Sequence, residues 1–285
     1  MPRIAIPMPH STDTEYGERA IPQYERALAI AGGEPVRIPL DQSVAAVKDL
    51  IKTCDGVLLP GSNADVDPAK FKQDRCQHTS AADPRREEVD FLLLDDAYAM
   101  QKPVLGICYG LQSLNVYRAG SLIQHIPDFL PEATRAKVNH EAGKQVAVAH
   151  TAEIERNSLL AEVVCGNSRH RLSAERALGS RLLADDNRQG HGVGRAHNDA
   201  HRHGASANGL ILPVNSSHHQ SAEKSGEGLR IVARCPDDGI IEALEGISPD
   251  HFLLAVQWHP ERCVDDDAAS RNIFHALVNS AQKNG

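Results

Sequence analysis

The sequence predicts an α/β fold, a mostly parallel central sheet flanked by helices in a single domain over residues 1–285. Three observations carry that expectation. Short apolar runs recur and end in turn residues. Amphipathic stretches of helical period lie between the early runs. The two alternate through residue 125, the pattern of a parallel sheet covered by helices.

The apolar runs are Ile4–Ile6, Val36–Ile38, Gly56–Leu59, Val104–Ile107 and Leu253–Gln257, each suited to a strand buried on both faces. Tyr16–Ala31 reads as a helix stopped by Gly32-Gly33, and Val44–Lys52 as a shorter one. Asp83-Pro84 combines an N-cap with a proline at the first helical position and opens a helix to about Gln101. From Val138 to Glu245 the chain is richer in short strand-like pieces, such as Gln145–Ala149, Leu229–Ala233 and Ile240–Glu245. A helix near Ala268–Gln282 closes the pattern.

Residues 165–209 break it. They are rich in Arg, His, Gly, Asn and Ser, poor in aliphatic residues after Leu183, and read as an insertion with too little apolar surface to order itself. His191, His197, His201 and His203 lie there, but no Cys or carboxylate pattern completes a tetrahedral set. No metal site is expected.

Composition narrows the function. With 41% hydrophobic and 24% charged residues the chain can build a sizeable core, and a net charge of −8 gives no reason to expect nucleic acid or an acidic membrane as partner. No run approaches the roughly 20 apolar residues of a membrane helix, and the N-terminus lacks a signal-peptide apolar region. Six cysteines (54, 76, 108, 165, 235, 263) occur without a Cys-x-x-Cys pair and read as free thiols in a reducing, cytoplasmic setting.

Only Cys108 sits in a pattern that carries chemistry. In Pro103–Gln112 a strand runs into Gly-x-Cys-x-Gly and a helix pattern follows. That is a nucleophile elbow with Cys in place of Ser: the glycines permit the sharp turn, and the helix N-terminus favours a thiolate. A buried structural cysteine at a strand end is the plainer alternative. In Leu254–Glu261 an apolar strand ends in His-x-Glu. A thiol needs a base within reach, and the base needs a third group to fix its tautomer; His259 and Glu261 can serve both needs. Leu58–Pro68 ends a strand in Pro-Gly, and the loop beyond exposes backbone N–H groups suited to an oxyanion hole, or forms an ordinary turn. Asn215–Gln220, six polar residues after a strand, could line a pocket or face solvent.

Together these pieces resemble the class I glutamine amidotransferase-like hydrolases, and within them the γ-glutamyl-γ-aminobutyrate hydrolase group, peptidase C26. Gly-Ile-Cys-x-Gly-x-Gln, Gln-Trp-His-Pro-Glu, Pro-Gly-x-x-x-Asp-x-x-Pro and Val-Asn-Ser-x-His-His-Gln stand here in the family's order and span nearly the whole chain outside the insertion. The resemblance implies a flavodoxin-like three-layer fold and a Cys108–His259–Glu261 triad. It implies an oxyanion hole from the N–H groups of Gly61 and Tyr109, with Gln112, Ser217, His218 and His219 holding the glutamyl end. Two departures stand out: Tyr109 where the group often has Arg, and Arg118-Ala119-Gly120 where a Gly-Gly pair is common.

The implied activity is hydrolysis of γ-glutamyl amides without metal or organic cofactor, on a small-molecule substrate, with no partner beyond a second copy of the chain. Two rival readings share the scaffold. A glutaminase component would deliver ammonia to a synthetase partner. A non-enzymatic binding protein would have little use for an intact Cys108, His259 and Glu261.

Overall fold

The computed structural model describes residues 1–166, 204–205 and 209–284. Its elements in order are β1 (Arg3–Pro7), α1 (Thr14–Ile30), β2 (Glu34–Ile38), α2 (Val44–Ile51), β3 (Gly56–Leu59), α3 (Pro84–Met100), β4 (Val104–Ile107), α4 (Tyr109–Tyr117) and β5 (Ser121–Ile123). Two single turns follow, α5 (Ile126–Phe129) and α6 (Glu132–Arg135), then β6 (His150–Glu155), α7 (Leu159–Val164), β7 (Gly204–Ala205), β8 (Gly209–Val214) and β9 (Ser221–Lys224). The chain ends with β10 (Leu229–Arg234), β11 (Ile241–Gly246), β12 (Leu253–Val256) and α8 (Ala268–Asn284).

One ten-stranded sheet runs β2-β1-β3-β4-β12-β11-β10-β6-β8-β7, and β5 pairs with β9 apart from it. The expected parallel centre comprises β2, β1, β3, β4 and β12. Beyond β12 the sheet continues antiparallel. β12 is therefore the seam between the two halves.

The central strands are buried on both sides, so their side chains alternate between two cores. Ile4, Ile6, Leu58, Leu105, Ile107, Leu254 and Val256 join α1, α7 and α8 in one. Ala5, Val57, Leu59, Val104, Leu253 and Ala255 join α2, α3 and α4 in the other. Each buried aliphatic side chain contributes about 1.5–3 kcal/mol by leaving water.

The helix signals hold. Asp83 caps α3, its carboxylate accepting from the N–H groups of Arg85 and Arg86 and from the Ser11 N–H and hydroxyl. Gly32, with φ of +83°, ends α1 in a left-handed turn that glycine accepts without strain. One strand assignment fails. Gln145–Ala149 is not a strand; Val146 and Val148 are exposed, and pairing begins only at His150, against Val214. The alternating apolar pattern there mimics a strand edge without a neighbour to pair with. The ordering expectation for 183–208 and the histidines 191, 197, 201 and 203 lie outside the described residues, apart from Gly204–Ala205, which pairs with β8.

The departure at Ala119 has a structural cost. α4 ends in a Schellman turn, with the Gly120 N–H donating to Asn115 O and the Ala119 N–H to Val116 O. The left-handed position of that turn falls on Ala119, at φ +63°, where a Cβ is strained. Its side chain is exposed and packs nothing that glycine would lose. Ala119→Gly is expected to stabilise the fold by about 0.5–1 kcal/mol, seen as a higher urea midpoint at unchanged slope.

Candidate active site

The site assembles where β3, β4 and β12 end side by side. Ile107 pairs with Val256, and the Cys108 N–H donates to Val256 O at 2.9 Å, so the chain leaves two adjacent parallel strands at Cys108 and just before His259. Cys108 itself has φ +53° and ψ −106°, a backbone state costing on the order of 1–3 kcal/mol. The turn is held by close packing at both glycines. A Cβ on Gly106 would meet Gly110 O at 2.8 Å, and one on Gly110 would meet Leu59 O at 2.1 Å. The elbow cannot relax without displacing α4 from the sheet.

His259 Nδ1 lies 2.7 Å from Glu261 Oε1, and both residues are buried. Cys108 is the ring's other electrostatic partner. Burial alone would lower the His259 pKa, but the charge of Glu261 and then that of the Cys108 thiolate outweigh it and raise it to about 9. Gly61 completes the group: a Cβ there would sit 3.2 Å from His259 Cε1 and 3.7 Å from Cys108 Cβ, so only glycine leaves the approach open.

The two expected oxyanion donors differ. The Tyr109 N–H has no acceptor among the described residues and stands at the start of α4. The Gly61 N–H is not free; it donates to the buried Tyr24 hydroxyl at 3.0 Å. The Tyr109 ring turns away from the site into a small core with Val66, Phe71, Val116 and Leu122. The departure at this position therefore alters the packing behind Cys108 and leaves its backbone donor in place.

Two of the residues expected to hold substrate are otherwise engaged. Gln112 Nε2 donates to Gln220 O at 3.1 Å and to Gln257 Oε1 at 3.4 Å, tying α4 to the segments on either side. His218 directs Nδ1 at Gln220 O, and its buried Nε2 faces the Glu242 carboxylate at 3.7 Å without a hydrogen bond. Ser217 and His219 are half-buried, and His219 Nε2 meets Asp65 Oδ1 at 3.0 Å, joining the 216–220 loop to the loop after β3.

The chain matches the family model of peptidase C26 over residues 4–193 and 205–261. It belongs to the peptidase C26 family. It is 34% identical over 262 residues to a protein of Mycobacterium tuberculosis named as a glutamine amidotransferase, across 90% of this chain and 66% of that one. It is 27% identical over 266 residues to the γ-glutamyl-γ-aminobutyrate hydrolase of Escherichia coli K12, across 91% of this chain and 85% of that one. The glutaminase domain of CTPS from Trypanosoma brucei shares the fold at a TM-score of 0.55 and 15% identity, over 99% of this chain and 94% of that one. This C26 chain is thus a glutamine amidotransferase-like hydrolase. Among the described residues no helix is long and apolar enough to cross a membrane.

Two positioning residues escaped sequence reasoning. Asn215 grips the His259 segment at both backbone groups: its Oδ1 accepts from the His259 N–H at 2.9 Å and its Nδ2 donates to His259 O at 2.8 Å. Arg86 is wholly buried; it donates to Asp90, to Pro9 O and, at 2.7 Å, to Pro60 O, and its guanidinium stacks 4.8 Å from the centre of the Tyr109 ring. Its one sequence signal is an Arg–Asp pair four residues apart on the stripe of α3 that also carries Leu93 and Ala97.

Asn215→Ala leaves the buried His259 N–H unsatisfied and His259 O with the Arg262 N–H alone. It is expected to cost about 2 kcal/mol or more in a urea titration and to slow iodoacetamide alkylation of Cys108. Asn215→Asp, which keeps the acceptor and loses the donor, should fall between the two.

Proposed function

We propose that this protein hydrolyses the γ-glutamyl amide bond of γ-glutamyl amines, such as γ-glutamyl-γ-aminobutyrate, to glutamate and the free amine. The observation that carries the reading is the strained Cys108 elbow facing a His259–Glu261 couple, on a chain similar to a γ-glutamyl-γ-aminobutyrate hydrolase.

Cys108 thiolate attacks the γ-carbonyl carbon, and the carbonyl π electrons move to oxygen. The Tyr109 N–H receives that oxyanion, and the Gly61 N–H joins it by sharing or leaving the Tyr24 hydroxyl. His259, protonated in the ion pair, gives its proton to the departing nitrogen as the C–N bond breaks, leaving a glutamyl thioester. The neutral ring then takes a proton from water, hydroxide adds to the thioester, and glutamate departs with the thiolate restored. Glu261 fixes the ring orientation and stabilises its charged form throughout.

A free-standing hydrolase should turn over γ-glutamyl amines faster than glutamine. A glutaminase component would show the reverse preference and need a synthetase for full rate. A binding protein would release no glutamate at all.

Cys108→Ala should abolish glutamate release across a panel of γ-glutamyl amides, and full activity in that variant would dismiss the mechanism. His259→Ala should lose on the order of a thousandfold in kcat/KM and Glu261→Ala tens to hundreds, since water can partly replace an orienting carboxylate. The His259→Ala loss should be larger for alkyl amides, whose amine must be protonated, than for an activated γ-glutamyl anilide. Equal losses on both would show that another group protonates the amine.

The pH profile follows from the same pair. The acid form of His259 is lost as pH rises through about 9, so kcat/KM should fall on the alkaline side there. Glu261→Gln removes the largest force holding the proton and should move that limb to lower pH. The stabilisation the charged ring gives the fold has the same sign: complete below about pH 6.5 and lost as pH rises towards the folded value.

A further inference from the structure

Away from Cys108, three histidines and a glutamate converge in the interior. His140 comes from the loop after α6, His150 from the first residue of β6, His218 from the 216–220 loop and Glu242 from β11. All four are buried, with at most 8% of any of them exposed. Glu242 Oε1 lies 3.3 Å from His140 Nδ1, 3.3 Å from His150 Nε2 and 3.7 Å from His218 Nε2.

The outward nitrogens fix the tautomers. His150 Nδ1 faces Thr151 O at 3.0 Å, and His218 Nδ1 faces Gln220 O at 2.8 Å. Carbonyl oxygens only accept, so these outer nitrogens carry the hydrogens and the inner ones present lone pairs. His140 Nε2 faces the carboxylate of Asp238 at 2.8 Å, and Asp238 is itself held by the Ile240 N–H. With the His140 hydrogen on Nε2 towards Asp238 alone, three nitrogen lone pairs and a carboxylate face one another. None of His140 Nδ1, His150 Nε2, His218 Nε2 or the two Glu242 oxygens makes a hydrogen bond. Five unsatisfied buried atoms in one spot would cost several kcal/mol if nothing positive lay between them.

We infer that His140, His150, His218 and Glu242 form a tetrahedral binding site for a divalent transition-metal ion, zinc by preference. Ligands about 2.0–2.1 Å from a tetrahedral zinc stand about 3.4 Å apart, close to the separations from Glu242 Oε1 found here. Imidazole and carboxylate suit zinc, and the outer partners are those that metal-bound histidines use: two backbone carbonyls and a carboxylate. A cavity of about 290 Å³ borders the cluster, with His140 and His218 in its wall beside Ile126, Leu130 and Val138. With four protein ligands the site has no open position and is structural. It clamps the loop after α6 and the 216–220 loop to β6 and β11, and the second loop follows directly on Asn215. The site does not depend on the chemistry assigned to Cys108.

The test uses the full chain purified without a histidine tag. Metal content is measured by elemental analysis as isolated, after dipicolinate treatment, and after titration with zinc or cobalt(II). One ion per chain is expected, with cobalt giving the intense visible bands of tetrahedral coordination and zinc raising the Tm of the stripped protein by several degrees. Glu242→Gln and, as a second variant in case the first fails to fold, His140→Gln should bind at least a hundredfold more weakly. A chain with His191, His197, His201 and His203 all changed to Asn should keep the ion. No stoichiometric ion and no Tm response in the wild-type chain would overturn the inference in favour of a proton-bound cluster. Loss of the ion only in the fourfold variant would overturn it by placing the metal on the insertion.

Discussion

A single buried guanidinium organises the surroundings of Cys108. Arg86 reaches the loop after β1 through Pro9 O, the loop after β3 through Pro60 O and the first residue of α4 through the Tyr109 ring, while Asp90 balances its charge. Those contacts set where the Gly61 and Tyr109 N–H groups lie, because each is the residue contacted or the one following it. A buried ion pair of this kind is weak support for net stability, since desolvation offsets much of its attraction. What it supplies is geometry: five planar donors in a fixed fork can hold separate segments at set distances, which an apolar residue of equal volume could not do.

Around that point, tight steric constraints meet deliberate strain. Gly106 and Gly110 let α4 approach β3 and β4 closely enough that Cys108 is forced into its left-handed state, and Gly61 leaves the approach to sulfur clear. His259 is held independently. Asn215 grips the backbone of His259, so the ring's position depends on the segment that follows β8 as well as on its own strand. Cys108 and His259 are each anchored by neighbours outside the pair.

What the sequence revealed and what it concealed divide along one physical line. Features written within a few residues were legible: the Asp83-Pro84 helix start, the Gly-x-Cys-x-Gly elbow at Cys108, and the His259–Glu261 spacing at a strand end. Features made by residues far apart were not. Asn215 stands in a motif whose polarity alone suited either a pocket or a solvated loop, and its grip on a backbone 44 residues away leaves no spacing to read. The Tyr24 hydroxyl that occupies the Gly61 N–H belongs to a helix face that looks merely apolar. Gln145–Ala149 misled because alternation is a necessary condition for a strand, and a pairing partner is another. The histidine–glutamate cluster gathers four segments over a hundred residues, so no local signature of it exists.

The position of β12 has a consequence for the order in which the molecule becomes competent. It is the last strand of the chain, yet it lies in the middle of the sheet, between β4 and β11. Until it is inserted, the strands built from the first hundred or so residues have no strand-to-strand pairing with those built later. The same insertion brings His259 to Cys108. During synthesis Cys108 is therefore made well before His259, and the carbonyl that accepts from its N–H, Val256 O, arrives only with β12. The pairing that welds the two halves together is also the one that sets the two side chains against each other.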